Sequence, residues 1–287
     1  MVEAIQFMTL TFIASVMTLC ILSYLGLHVL EREIIFIDIS LAQIAAVGAT
    51  VAILLFPEKY DHGHAALVPR LFSIGFTTVA AMFFSFTAKA ITRISHETII
   101  GVSYAIAAAA ALFLLAAAPG SDVHVDEMLT GSVLWIQKSD LITIAVVYVL
   151  VKGIHYLFRR QFINMIRSYR DKKEQTAMGM WWDFLFYALM GIVITFTVEF
   201  IGVLLTFAFL IIPATFSALF VRGWLSRLMM AWGMGLVVII AGLYISYTHD
   251  VTCGPGIVAL MGLGLIVASV VKQIAGIGVM TGKRTKQ

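Results

Sequence analysis

Charge is what this chain has least of. Asp, Glu, Lys and Arg make up 12% of its 287 residues, about half the roughly 25% usual in a soluble domain. Hydrophobic residues make up 61%. So few polar side chains do not cover the surface of a soluble domain of this length, and a large soluble catalytic domain is excluded. Two cysteines, Cys20 in an apolar run and Cys253 in a Gly-Pro loop, exclude a disulfide framework. There is no G-x-x-x-x-G-K-[ST] to cradle a phosphate, and no H-E-x-x-H, C-x-x-C or G-x-S-x-G. With no nucleophile–base pair in view, the chain is not read as an enzyme; if ATP is used, another chain hydrolyses it. The net charge of +3 calls for no nucleic-acid partner.

What is present is long apolar runs. At about 20 residues per crossing, the length leaves room for roughly eight to ten membrane spans. Charged interruptions mark them at 5–28, 34–56, 67–88, 98–118, 141–158, 182–199, 202–220, 228–248 and 256–278. The first is too long for a signal-peptide core and has only Glu3 before it, so it reads as a retained helix. The run 182–221 is broken only by Asp183, Glu199 and Pro213. Basic loops on the same side flank it, so it either crosses twice or dips in and returns, with the turn expected at Glu199 to Gly202. The fold expected is a single all-α membrane domain over 1–287, polytopic, with about eight or nine transmembrane helices. No internal repeat or linker divides it.

Lys and Arg orient these spans. One set of alternate loops and ends carries fourteen of them, from Arg32 through the cluster Arg159 to Lys173, then Arg222 and Arg227, to Lys286. The opposite set carries three: Lys59, Arg70 and Lys138. The positive-inside rule therefore predicts the C-terminus inside and, with nine crossings, the N-terminus outside.

An ionisable group within a span is costly and asks for a reason. Asp38 opens the second span, ahead of Ser40 and Gln43. One reading pairs it with Arg32 or a free N-terminal amide; the other makes it part of a polar path lining. Ser40 and Gln43 share a face, whereas Asp38 and Gln43 lie about 140° apart on a regular helix. Glu199 is either an exposed acid at a hairpin tip or an acid at the outer mouth of a path. Asp61-His62-Gly63-His64 and Asp122 to Glu127 give the outer loops an acidic, histidine-bearing character. Such clusters are either solvated loops or weak metal sites. Arg159 to Lys173 interleaves basic residues with Phe162, Ile163, Met165, Ile166 and Tyr169. That pattern predicts an amphipathic helix, lying on anionic membrane lipid or presenting a docking face. Lys152 and His155 are placed near the inner interface, and His28 and His96 are read as structural.

Three stretches resemble one family, the membrane permeases of ATP-binding-cassette importers for zinc, manganese and iron. Glu199-Phe200-Ile201-Gly202-Val203-Leu204-Leu205, running into Leu210-Ile211-Ile212-Pro213-Ala214-Thr215, is similar to the family's "hGxLL … LLIIPAATA" pattern. Ser246 to Asp250 and Gly254 to Val258 resemble its C-terminal "S…D…GPTIVL". Arg32 to Gly48 has the spacing of its "GDxLxHAxLxG" segment, with weaker similarity at Ile100 to Val102 and at Asp126 to Gly131.

The resemblance implies a permease subunit of a bacterial or archaeal cytoplasmic (inner) membrane. It would work as a homodimer, with the path for a divalent metal ion between the copies. Cytoplasmic ATPase subunits would dock below, and an extracytoplasmic solute-binding protein would deliver the ion. No cofactor is implied. The coupling segment would fall just after the IIPAT stretch, from Ala214 to Arg227, with Pro213, Ala214, Thr215, Arg222 and Arg227 as coupling residues. The metal path would be lined by Asp38, Gln43, Ser40 and Glu199. The sequence departs from the family at its ligand pair, where Ile39 stands at the Asp position and Gln43 at the His position. The donors that remain are harder and less zinc-like. The alternative is a stand-alone secondary cation carrier, a class often built from inverted repeats.

Overall fold

The computed structural model describes residues 2–56, 67–90, 94–116, 136–170, 177–249 and 251–284. Within them all regular structure is helical. The helices are α1 (Val2–Glu31), α2 (Ile37–Leu55), α3 (Leu67–Ala90), α4 (His96–Ala116), α5 (Lys138–Leu157), α6 (Arg159–Arg170), α7 (Ala177–Ile201), α8 (Val203–Phe220), α9 (Trp224–His249) and α10 (Cys253–Arg284). Among the described residues, all but α6 are long and apolar enough to cross a bilayer, giving nine candidate spans. The chain is a multi-pass, all-helical membrane protein.

The nine are apolar nearly all round, because lipid or another apolar helix faces every side. Hydrocarbon offers no water to satisfy the backbone, so each segment closes its own hydrogen bonds as a helix. The exception, α6, is amphipathic: Phe162, Met165 and Ile166 are buried while Arg159, Arg160, Asn164 and Arg167 are exposed. It occupies the segment in which the sequence predicts such a helix.

Helix ends are built from local signals. At the end of α1, the amide of Ile34 donates to the Val29 carbonyl and that of Glu33 to Leu30. Glu33 has a φ of 58°. This is a Schellman stop with a left-handed residue at C′, and it turns Arg32 into the protein. At α5, Asp140 accepts from the amide of Gln137 at 3.0 Å, closing a capping box. Between α7 and α8 a single residue intervenes: Gly202, with φ 87° and ψ 161°, a conformation open to glycine. The expected turn is there. However, α7 is a 25-residue helix, longer than the expected 182–199, because Ala177 to Trp181 continue it.

These two helices run in opposite directions. Asp183, early in α7, meets Arg32 at the end of α1, while Glu199, late in α7, meets Arg70 at the start of α3. Helix α8 then returns to the first end, where Ala214 packs with Leu27 and Leu228 and Lys272 donates to the Leu219 carbonyl. The bundle therefore has a basic end, holding Arg32, Arg227 and Lys272, and an opposite end holding Arg70. Helices α1 and α7 are the most enclosed of the spans. α2, α3 and α4 gather with α7, and α8, α9 and α10 with α1, while α5 and α6 brace both.

The α1–α8 contact is close for a specific reason. Pro213 lacks an N–H, so the Phe209 carbonyl one turn earlier has no intrahelical donor. Ser23 of α1 donates its hydroxyl to that carbonyl at 3.4 Å. One turn along, a Cβ on Gly26 would overlap the Leu210 carbonyl oxygen and touch the Ala214 methyl. Missing side-chain volume at Gly26 lets these two backbones approach.

Candidate transport path and coupling surface

The first turn of α2 places Asp38, Ser40 and Gln43 in the protein interior, at 1%, 0% and 7% exposure. Asp38 does not pair with Arg32. Its carboxylate lies against the free amides of Asp38 and Ile39 at the helix start, yet neither oxygen makes a well-formed hydrogen bond, and the Ser40 hydroxyl also has none. Buried acids and hydroxyls are nearly always satisfied. Two buried polar groups left open in one helix turn are an exception that asks for an explanation. Ile39, at the family's Asp position, is half-buried and packs against the apolar core.

Arg32 is taken instead by Asp183 of α7, at 2.7 Å, with both side chains fully buried. The second Asp183 oxygen accepts from the Tyr169 hydroxyl of α6 at 2.5 Å, and the guanidinium lies 4.1 Å from the centre of the Phe186 ring. Burial, together with the nearby Asp183 charge, holds the Tyr169 phenol above its ordinary range. This network ties α1, α6 and α7 at the basic end. The sequence reading does not include it, although a signal is there: an acid inside a span needs a partner, and Asp183 and Arg32 fall on the same side in the loop count.

Glu199 is not a free acid. The Nε and Nη2 atoms of Arg70 donate to both its oxygens at 2.7–3.0 Å, and the guanidinium rests beside Phe196 and Phe200. Glu199 is exposed beside the Gly202 turn, where the sequence places an acid at a hairpin tip, and the bidentate pair with Arg70 joins α3 to α7 there. The outer-loop clusters Asp61 to His64 and Asp122 to Glu127 lie outside the described residues.

The expected coupling segment, Ala214 to Arg227, runs from the buried part of α8 through an exposed turn into α9. Pro213, Ala214 and Thr215 lie in mid-helix; Ala214 is fully buried against α1 and Pro213 is buried beside it. Thr215 is half-buried. What is exposed is Phe220, Arg222 and Gly223 at the α8–α9 turn, with Leu225 and Ser226 just beyond. Arg227 is occupied internally: it pairs with Glu31 of α1 and its Nε donates to the Val221 carbonyl at 3.0 Å. Of the basic pair, Arg222 alone faces outward.

Two further polar features are absent from the sequence reading. The Tyr148 hydroxyl links the Thr18 and Thr197 hydroxyls at 3.2 and 2.7 Å, joining α1, α5 and α7 in mid-bundle. His28 and His155 lie 5.8 Å apart, ring centre to ring centre. They sit among Tyr24, Phe162, Phe186 and Trp224, and neither ring has a hydrogen-bond partner. No group of three or more His, Cys, Asp or Glu positioned to hold a metal occurs among the described residues.

Nine candidate spans and a one-residue turn at Gly202 describe a polytopic membrane protein. The sequence matches the model of the ABC 3 transport family over residues 4–272, and the chain belongs to that family. It is 29% identical over 181 residues to a manganese transport system membrane protein from Listeria innocua, covering 62% of this chain and 63% of that one. It is 23% identical to an uncharacterized membrane protein from Synechocystis sp., covering 93% and 92%. The chain spans 61% and 63% of the length of two of the curated relatives it matches. Its fold is similar to PsaBC from Streptococcus pneumoniae, solved in complex with Fab, with a TM-score of 0.73, 20% identity and 93% of each chain covered.

Proposed function

We propose that this chain is the permease subunit of an ATP-binding-cassette importer. It would form, as one domain and with a second copy of itself, the path for a divalent metal ion across the inner membrane. The family match over 4–272 carries this reading, and the Listeria innocua relative, itself a manganese transport protein, supports a metal as substrate. On this reading ATP is hydrolysed by separate partner subunits. ATPase subunits dock at the basic end through Phe220, Arg222 and Gly223, and a solute-binding protein delivers the ion at the opposite end. The basic end, with the C-terminus, faces the cytoplasm, in line with the positive-inside count.

Within the path, the polar donors near the start of α2 are Asp38, Ser40 and Gln43. A carboxylate, a hydroxyl and an amide suit a harder ion than the carboxylate–imidazole pair of the family motif, so manganese fits better than zinc. Few and weak contacts also suit an ion that must leave as readily as it enters. Nucleotide-driven switching of the dimer between outward- and inward-open forms moves the ion.

The test is the whole-cell metal content of a deletion strain grown under mild chelation, beside its complemented parent. A selective fall in manganese, restored by the intact gene but not by Asp38→Ala, supports the reading. A selective fall in zinc keeps the importer and overturns the choice of ion. No change in any metal, with uptake limiting growth, overturns the function.

A further inference from the structure

The geometry points to a bound anionic phospholipid at the elbow between α5 and α6, its phosphodiester held by Arg159 and Arg160 and its acyl chains lying along the outer face of α5. At this elbow a cavity of about 340 Å³ is lined by Tyr156, Leu157, Arg159, Arg160 and Gln161. Its composition changes abruptly along the chain. Tyr156 and Leu157 end a membrane span and are 68% and 72% exposed. The next helix opens at once with two exposed arginines and a half-buried glutamine.

Arg32, Arg70 and Arg227 each have an acid within the protein. Among the described residues, neither Arg159 nor Arg160 has one. The polar contact made by Arg159 is with the Tyr156 ring, whose centre lies 5.1 Å from its guanidinium carbon. That contact leaves its N–H donors unspent in the lining of the cavity. Two adjacent guanidinium forks and an amide are a donor set matched to a phosphodiester.

The second part of the case is the surface leading to the cavity. Ile142, Val146, Val149, Gly153 and Leu157 are exposed and follow one another at steps of four, three, four and four residues, which puts them on one face of α5. From Ile142 to Leu157 this stripe runs about 22 Å along the helix, more than half of a hydrocarbon core of about 30 Å. A soluble partner would meet the arginines and leave the stripe bare. A second copy packed on the stripe would bury the arginines unpaired. An amphiphile with a negative head and long apolar tails satisfies both parts, and Tyr156 stands where aromatic side chains gather at membrane interfaces.

The experiment is native mass spectrometry of the full chain in neutral detergent, titrated with palmitoyl-oleoyl phosphatidylglycerol and, in parallel, phosphatidylcholine of the same chains. The wild type retains one phosphatidylglycerol, and the double variant Arg159→Gln, Arg160→Gln binds it at least about tenfold more weakly, a change of about 1.4 kcal/mol. Arg167→Gln is the control. It removes one positive charge from the same helix about 10 Å past Arg160 and leaves the adduct intact. Equal binding by wild type and double variant overturns the site. So does equal retention of phosphatidylcholine, or an equal loss in Arg167→Gln, which would mean diffuse attraction to a basic helix. An unaltered lipid adduct with lost copurification of an ATPase subunit would also overturn it, and would give the patch to a protein partner. Thermal unfolding of the double variant at the wild-type temperature excludes loss of fold as the cause.

Discussion

The contact between Ser23 and the Phe209 carbonyl makes a sharp quantitative test of how α1 and α8 are held. That carbonyl is open because residue 213 is proline. Ser23→Ala leaves it unsatisfied in a protein interior facing hydrocarbon, where such a group costs about 1–3 kcal/mol. Interhelical side-chain hydrogen bonds in membranes measure about 0.6 kcal/mol on average and about 1.7 at most, and the 3.4 Å separation is long. The expected loss is therefore about 1 kcal/mol. In a Pro213→Ala background, the substituted residue supplies the missing N–H, the carbonyl closes its own helical bond, and Ser23→Ala should cost close to nothing. The double-mutant cycle thus predicts a coupling of about 1 kcal/mol, above the roughly 0.3–0.5 kcal/mol scatter of independent sites. Titration of the four proteins with denaturing detergent, followed by tryptophan fluorescence, reads the four free energies. An equal cost for Ser23→Ala in both backgrounds would refute the account of why proline sits in α8.

Other outcomes follow from the same reasoning. Removing either side of the Arg32–Asp183 pair strands a fully buried charge, so Arg32→Ala should lose about 3–5 kcal/mol of stability; the double variant with Asp183→Ala should lose less, measured by the same titration. Asp38→Asn forfeits no well-formed bond and should leave unfolding unchanged while metal uptake drops roughly tenfold or more, about 1.4 kcal/mol at the path; normal uptake would remove Asp38 from the path. Arg222→Glu should weaken copurification of ATPase subunits with no change in stability, whereas Arg227→Glu should lower stability through the lost Glu31 contact; the reverse pattern would exchange their roles. Glu33→Gly relieves a left-handed residue costing roughly 1–2 kcal/mol, offset in part by the greater freedom of glycine when unfolded, and should raise stability by about 0.5–1 kcal/mol.

Composition and periodicity carry the architecture a long way. The nine apolar runs, the turn at Gly202 and the amphipathic stretch from Arg159 are all written in local pattern, because hydrocarbon leaves the backbone no choice but helix and the loops must hold the charge. Pairings are less legible. Nothing near Arg32 in sequence indicates that its partner is Asp183 rather than Asp38, since that choice depends on which helices are neighbours. The same holds for Arg70 and Glu199, 129 residues apart. The IIPAT stretch is recognisable as a pattern, yet its physical content lies in α1: only the packed helices reveal that Ser23 answers the proline and that Gly26 makes room for Ala214. Arg222 and Arg227 look alike as loop arginines and separate only because the turn sends one outward and the other to Glu31.

The join at Gly202 has a mechanical consequence. With one residue between them, α7 and α8 have no slack at their shared vertex and behave as the two legs of a compass. A leg of 18 residues is about 27 Å long, so each degree of spreading moves its free tip by about 0.5 Å. The tips are where Asp183 meets Arg32 and where Arg222 faces out. A push delivered at Arg222 therefore acts at the long end of a lever whose pivot sits beside the Arg70–Glu199 clasp at the opposite end of the bundle, and small rotations there become large displacements at the basic end.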